Sequence, residues 1–158
     1  MIKLAMLLLL GGCAGMGPHA VPGEPVAALE ARLGHPTAIY RLPEGQEWEY
    51  ATGPFGQRTW MARIGADGRV AGFAQVLTSA MFAKIEVGKA RKDEVLRLVG
   101  RPAETSRVFQ HDDEVWSYRY KESEVWNSLM HVHFDRDGVV RMRMNGPDPL
   151  FEHERRAR

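Results

Sequence analysis

The feature of this 158-residue chain that most constrains its fold is an internal repeat. Three short motifs occur twice, in the same order: Gly-x-Pro at Gly34 and Gly100, Trp-x-Tyr at Trp48 and Trp116, and Asp-Gly at Asp67 and Asp137. The offsets between the copies are 66, 68 and 70 residues, which fits small insertions in the loops of the second copy. Because self-similarity at a nearly fixed spacing indicates a repeated structural unit, we expect two copies of one module.

Each copy begins with a pattern typical of a helix. Leu29 and Leu33 in the first copy, and Val95 and Val99 in the second, are apolar residues four positions apart, which places each pair on one helix face. The Gly-x-Pro motif follows each pair directly. Glycine accepts the left-handed conformation at a helix end and the proline beyond it prevents continuation, so the motif predicts where each helix stops.

Segments in which apolar and polar residues alternate follow each helix. The second copy has three of them: residues 116–121, 130–135 and 140–144. The first copy has three at corresponding positions: residues 48–50, 60–64 and 69–77. Alternation with period two predicts strands with one solvated face, and the Asp-Gly pairs are turns that suit hairpins.

The second copy has an additional helix in front of this unit. Thr78 or Ser79 can cap it, and Met81, Phe82 and Ile85 form its apolar stripe. The corresponding part of the first copy is rich in proline and glycine, so that copy lacks this helix. The sequence therefore predicts an α+β fold, with two tandem helix–β-β-β modules forming an antiparallel sheet of about six strands and short helices on one face.

The N-terminus has the composition of an export signal. Lys3 is followed by the apolar run Leu4 to Leu10 and by small residues. The run is far shorter than the roughly 20 residues that span a bilayer as a helix. Leu10-Gly11-Gly12-Cys13 resembles the lipobox of bacterial lipoproteins, which implies acylation of Cys13 and membrane attachment through its lipid. An ordinary secretory signal with an incidental cysteine is the alternative.

The residue after the cysteine bears on the destination. Ala14 stands where an aspartate usually retains lipoproteins in the inner membrane, so the outer membrane, with the body facing the periplasm, is the expected location. The predicted segments are the signal peptide at 1–12, the lipidated cysteine and flexible tether at 13–25, the first module at 26–77, the second module at 78–145 and a disordered tail at 146–158.

Composition excludes some classes of partner. The chain has 21 basic and 20 acidic residues and shows no basic stripe, so nucleic-acid binding is not expected. Its one cysteine cannot form an internal disulfide, and stability must come from an apolar core. No motif for a cofactor occurs, so none is predicted.

The second copy resembles the SmpA/OmlA family, also called BamE. Four short motifs carry the resemblance: Ile85-x-Val87-Gly88, Asp93-Glu94-Val95, Gly100-Arg101-Pro102 and Trp116-Ser117-Tyr118. The family consists of small outer-membrane lipoproteins associated with the machinery that inserts β-barrel proteins, and its module is two helices followed by a three-stranded sheet. The related β-lactamase inhibitor-like fold joins two such modules. Family members have one module, whereas this chain has two, and Ala90 stands where their second helix usually carries a Ser or Thr cap.

Few residues suggest chemistry. His131 and His133 point to the same face of a strand and could share a metal, although nothing nearby is obliged to complete a tetrahedral site, and a solvated sheet face explains the pair equally well. The acidic run His111 to Glu114 fits an ordinary turn. Glu47 and Glu49 are expected to face solvent together, without the cleft that acid–base catalysis needs. We therefore predict that the chain is not an enzyme.

Recognition of a partner is the remaining type of function. The four tryptophans, Trp48, Trp60, Trp116 and Trp126, are most simply core residues. In inhibitor-like relatives the uncovered sheet face grips the partner, and here that face is expected to present eight charged or imidazole side chains: Glu47, Glu49, Arg119, Lys121, His131, His133, Arg141 and Arg143. Among these, Arg119, Lys121, Arg141 and Arg143 are the candidate partner-binding residues.

Two functions follow from the sequence. The first is a lipid-anchored, non-enzymatic protein-interaction module that supports outer-membrane assembly. The second, suggested by the tandem modules, is an inhibitor or binder of a periplasmic or secreted enzyme. A metal-dependent enzyme or metal carrier that uses His131 and His133 is a third hypothesis.

Overall fold

The structure, a computed structural model, describes residues 17–151. The predicted signal peptide, Cys13 and residues 152–158 lie outside the described residues. The helices are α1 (Val26–Leu33), α2 (Ser79–Ala83) and α3 (Lys92–Val99), with a single 3-10 turn at Pro149–Phe151. The strands are β1 (Ala38–Leu42), β2 (Gly45–Ala51), β3 (Thr59–Gly65), β4 (Val70–Gln75), β5 (Glu104–Val108), β6 (Asp113–Glu122), β7 (Trp126–Phe134) and β8 (Val140–Pro147).

The α+β class is confirmed, but the expected arrangement in one sheet is wrong. The strands form two separate four-stranded antiparallel sheets, in the orders β1-β2-β3-β4 and β5-β6-β7-β8. Each copy contains one strand more than the alternation predicted, namely the short edge strand after the Gly-x-Pro motif. Its sequence in the second copy, Glu-Thr-Ser-Arg-Val, is polar and mostly exposed, so no apolar period marks it.

The helices and sheets form successive layers. On one face of the first sheet, Leu29 of α1 packs with Trp48 and Ile64. On the second sheet, Phe82 of α2 and Val95 of α3 pack against a larger aromatic core. The opposite sides of α2 and α3 line a cleft against the face of the first sheet that points away from α1. The order is therefore α1, the first sheet, α2 with α3, and the second sheet.

The two copies share details beyond their sequence motifs. The N–H of Val26 donates to the carbonyl of Gly68 (2.9 Å), and the N–H of Lys92 donates to the carbonyl of Gly138 (3.3 Å), so each helix start binds the Asp-Gly turn of its own module. A β-bulge in the last strand of each sheet inserts one residue, Ala71 in the first copy and Arg141 in the second. Both modules therefore follow one plan, as the repeat predicts.

The helix starts differ in part from expectation. The Thr78 hydroxyl accepts the N–H of Met81 (3.1 Å), so Thr78 caps α2. The start of α3 lies one residue after the position assigned to the family cap, because Arg91 is the N-cap residue and Ala90 is buried in the core. The carboxylate of Glu94 accepts the Arg91 N–H (2.8 Å), which stabilises the first turn.

The ends of the predicted modules extend further than the sequence suggested. The end of the predicted tether is attached to the first sheet, because the Gly23 N–H donates to Val70 (2.7 Å) and the Val70 N–H donates to Glu24 (2.9 Å). At the other end, β8 continues to Pro147 and Asp148 is buried, so residues 146–151 are not a disordered tail. Glycine and proline predict a flexible tether and tail, but strand pairing with the sheets holds residues 23–25 and 146–147.

One buried carboxylate lies where the two modules meet. Glu49 of β2 is fully buried and accepts a hydrogen bond from the Tyr40 hydroxyl (2.5 Å). The backbone N–H of Arg101, just past the end of α3, points at both carboxylate oxygens (3.3 Å each). Burial, and secondly the bond to Glu49, raises the pKa of Tyr40 well above its ordinary value. The expectation that Glu49 faces solvent is wrong, because the second module covers this face of the first sheet.

Glycine at position 100 permits this contact. Its φ is +81°, and a Cβ atom there would lie 3.0 Å from both the Glu49 carboxyl carbon and the Thr59 methyl group. Gly34 ends α1 with the same φ of +81°, but a Cβ there would meet nothing within 4 Å. The two positions therefore share the backbone constraint and differ in packing.

This pair gives a matched test of the module contact. We expect Gly34→Ala to lower the free energy of unfolding by about 1 kcal/mol, since alanine is strained at positive φ. Gly100→Ala should cost about 1–3 kcal/mol more, since the added methyl group also pushes against Glu49 and Thr59. Urea denaturation of both variants measures the difference, and equal losses would contradict the close packing at Gly100.

Candidate functional site

The face of the second sheet that points away from α2 and α3 is the candidate interaction surface, called here the outer face. It is formed by Val115, Ser117, Arg119 and Lys121 of β6, Leu129, His131 and His133 of β7, and Met142 and Met144 of β8. The first sheet offers no equivalent, because its corresponding face contacts the second module. The outer face matches only part of the predicted charged surface.

The bulge in β8 changes which side chains reach the outer face. Val140 pairs with Phe134 in the core, but after the inserted Arg141 the next pair is Met142 with His133. Arg143 therefore points to the helix side, where its guanidinium donates to the backbone carbonyl of Phe82. The prediction that Arg143 lies on the solvated face is wrong, because one inserted residue reverses the alternation that follows it.

Two methionines take the place predicted for the arginines. Met142 and Met144 are 37% and 49% exposed and lie opposite His133 and His131. Unbranched thioether side chains adapt to irregular apolar surfaces and are frequent at binding surfaces. Regular alternation over residues 140–144 would turn these methionines toward the core, and the bulge instead places them at the surface.

The predicted cations on this face are largely engaged within the chain. The Arg119 guanidinium is held between the carboxylates of Asp148 and Glu104 (2.8 Å to Glu104) and its side chain is only 12% exposed. Arg141 pairs with the buried Asp113 (3.1 Å). Within residues 17–151, Lys121 has no ion-pair partner.

The two histidines share a face, as predicted, but each has its own partner. The His131 Nδ1 lies 2.8 Å from the Ser117 hydroxyl, and the His133 Nδ1 lies 3.8 Å from the Asp113 carboxylate. In the part of the chain that the structure describes, no three His, Cys, Asp or Glu side chains are grouped as metal ligands. Burial, and secondly the charge of His133, lowers the pKa of His131.

The acidic run before β6 is distributed among separate ion pairs. Asp112, at a positive φ of 57°, pairs with Arg107 (2.7 Å) and Arg136 (3.2 Å). Glu114 accepts from Lys92 (2.6 Å), which lowers the pKa of that carboxyl. Asp113 and Glu114 belong to β6 and not to the preceding loop. These carboxylates hold the sheet and α3 together and do not converge on one point.

Glu47, the second carboxylate expected on the open face, lies in the cleft beside β4. Its side chain is 12% exposed and pairs with Arg63 (3.4 Å). Glu47 and Glu49 therefore do not face solvent together.

The tryptophans divide between core and surface. Trp48 and Trp116 are buried, and Trp60 stacks on Phe73 with 5.3 Å between ring centroids. Trp126 is 56% exposed at the start of β7, so it is not a core residue.

Within residues 17–151, no helix is both long enough and apolar enough to cross a membrane.

Comparison with known proteins finds a family that is similar to the second module. Residues 74–144 match the family described as the outer membrane protein assembly factor BamE domain. This region contains α2, α3 and nearly all of the second sheet. The second module is therefore similar to the BamE domain, and the expected resemblance to the BamE family is confirmed over this part of the chain.

Other comparisons add little. A crystal structure of a DUF4309 family protein (YjgB) from Bacillus subtilis is 13% identical, with 75% of this chain and 74% of that chain covered. Its TM-score of 0.31 is too low to support an argument about fold or function. No curated protein matches the chain.

Because the pKa of His131 on the outer face is lowered, we expect the stability of the fold to decrease in acid. A histidine whose pKa is lower in the folded than in the unfolded state destabilises the fold as the pH falls through its unfolded value, near 6.5. We expect the urea midpoint of the wild type to fall more steeply than that of His131→Gln between pH 7.5 and pH 5. Urea midpoints that fall equally with pH in the two proteins would contradict a lowered pKa at His131.

Proposed function

We propose that this chain is a lipid-anchored outer-membrane lipoprotein whose body is a non-enzymatic protein-interaction module that supports outer-membrane protein assembly. The match of residues 74–144 to the BamE domain is the observation that carries the proposal, since the family is described as an outer membrane protein assembly factor. Acylation of Cys13 supplies the anchor, and the body faces the periplasm.

The attachment of the chain to the first sheet supports this orientation. Ala20 packs with the core under α1, and Glu24 binds Arg32 of α1 (2.6 Å), so the described chain begins on the α1 side of the layers. The outer face of the second sheet is the last layer at the opposite end. Since neighbouring layers lie about 10 Å apart, the outer face is roughly 30 Å from the α1 side. An anchor at Cys13 would therefore leave the outer face directed toward periplasmic partners.

The outer face has the composition of a contact surface. Its exposed Met144 is a diagonal cross-strand neighbour of the buried Leu129, whereas His133 lies between Met142 and the buried Val115. A few apolar residues at the centre of an interface commonly supply most of its binding energy, while a polar rim excludes water. The histidines of β7, directly opposite the methionines, and Lys121 of β6 supply the polar groups of this surface.

The first prediction concerns the lipid. Detergent-solubilised envelopes containing the wild-type chain should yield outer-membrane assembly proteins on co-purification, and Cys13→Ala behind a replacement cleavable signal should yield fewer. Mass spectrometry of the captured proteins is the measurement. Capture of one soluble enzyme, equally by both forms, would contradict the assembly role and favour the inhibitor-like function suggested by the tandem modules.

The second prediction concerns the outer face. Met142→Gln combined with Met144→Gln should weaken partner capture about tenfold or more, because both apolar contacts are removed. Ile39→Gln, on the first sheet, changes a side chain of similar exposure (51%) and serves as the control. All variants should keep the wild-type melting temperature. Equal capture by the methionine variant and the control would remove the outer face from the interaction.

A further inference from the structure

The edge strand β4 of the first sheet is open to pairing along most of its length. The Val76 N–H donates inward to the Thr59 carbonyl (2.8 Å), so by the two-residue period Phe73 and Gln75 direct their N–H and C=O groups away from β3. At the start of the strand, Val70 is paired with residues 23 and 24. Beyond Val70, no backbone group of residues 17–151 pairs with the outer edge of β4.

The sequence of this strand lacks the usual protection of an edge. The other three edge strands, β1, β5 and β8, each contain at least one arginine, and β8 also ends in a proline. The six residues of β4, Val-Ala-Gly-Phe-Ala-Gln, include neither a charge nor a proline. Charged residues and prolines are the common means by which edge strands avoid pairing with other chains. Among the four edge strands of the described residues, β4 is the one that lacks both, which points to an edge that pairs with another chain.

A cleft runs beside this edge. It has a volume of about 300 Å³, lies between β4 and the outer sides of α2 and α3, and is lined by residues 71–74 of the strand itself. Met61, Met81 and Leu98 supply apolar surface from the sheet and the two helices. An added strand along β4 would therefore place one row of its side chains in this cleft. The opposite row would lie on the side of Phe73 and Trp60, where Gly17 and Ala20 of this chain also pack.

The charges around the cleft favour an acidic occupant. Arg63, Lys84 and Arg97 line it, against the single carboxylate of Glu47. Lys84 is exposed and has no ion-pair partner among the described residues, while Arg97 pairs with Asp93 on its own helix. Carboxylates in the row facing the cleft would meet these cations, and apolar residues in the other row would meet the aromatic side.

We propose that β4 binds an extended segment of a partner protein, in which acidic and apolar residues alternate, as a fifth antiparallel or parallel strand of the first sheet. Main-chain hydrogen bonds supply the affinity in this mode of recognition, and the alternate side chains supply the specificity. The inference rests on the proposed interaction function and deepens it by adding a second binding site. Most of the strand at this site, β4, precedes the residues that match the BamE domain.

The test uses the purified full chain in detergent and a labelled, acetylated ten-residue peptide in which valine and glutamate alternate. Fluorescence anisotropy should show saturable binding of this peptide. Binding should be at least about tenfold weaker for the same peptide with lysine in place of glutamate, and for a peptide N-methylated at alternate residues on its bonding edge. Equal binding of all three peptides, or no binding, would overturn the proposal.

Two glycines provide matched variants. Gly72 pairs with Arg63 on the cleft side of β4, and a Cβ atom there would meet nothing within 4 Å. Gly146, on the edge strand β8, has equally open surroundings. Gly72→Phe should fill the cleft and weaken peptide binding about tenfold, whereas Gly146→Phe should leave it unchanged, with wild-type circular dichroism in both. Loss in both variants, or in neither, would contradict a site at β4.

The charges can be tested in the same way. Lys84→Glu should weaken binding of the glutamate peptide and strengthen binding of the lysine peptide, while Lys121→Glu on the outer face should change neither. The peptide-binding assay contains no envelope protein and no lipid bilayer. A negative result in it is therefore distinguishable from failure of the assembly role, which is measured by the co-purification with Cys13→Ala. Peptide preference that does not reverse in Lys84→Glu would overturn the charge argument.

Discussion

The contact of Glu49 with the end of α3 is the constraint on which the arrangement of the layers depends. A buried carboxylate is costly unless its oxygens are hydrogen-bonded, and here the Tyr40 hydroxyl and the Arg101 amide supply the bonds from the two modules. Gly100 allows the approach because it has no side chain. With this contact formed, one face of the first sheet is closed and α2 and α3 lie between two sheets that share no strand pairing.

The β-bulge of the last strand decides which chemistry the second sheet presents. If β8 alternated regularly from Val140 without the bulge, Arg143 would lie on the outer face and the methionines would lie in the core. With it, Arg143 binds the α2 backbone and Met142 and Met144 reach solvent. The corresponding bulge of the first sheet, at Ala71, lies within β4, whose six residues are all uncharged. Both modules therefore have a bulge in the last strand, and in the second module it decides which side chains reach the outer face.

The two candidate binding surfaces belong to different parts of the chain. The outer face lies within the BamE match, residues 74–144, and is the surface on which the proposed assembly role depends. The β4 edge belongs to the first module, most of which precedes that match, although α2 and α3 complete its cleft. The second module thus supplies one surface by itself and helps to form the other, which is a consequence of packing its helices between the sheets.

The sequence by itself determined the repeated module, the presence of three helices, the Gly-x-Pro ends of α1 and α3, the hairpin turns and the resemblance of the second module to the BamE family. These features depend on local rules: apolar spacing, Gly-x-Pro helix stops and Asp-Gly turns act within a few residues. Only the tertiary structure decided that there are two sheets, that Glu49 is buried and that Met142 and Met144 are exposed. A polar edge strand such as β5 has no apolar period, a bulge is invisible to a simple alternation rule, and burial at the module contact depends on residues that are about 50 positions apart in the chain.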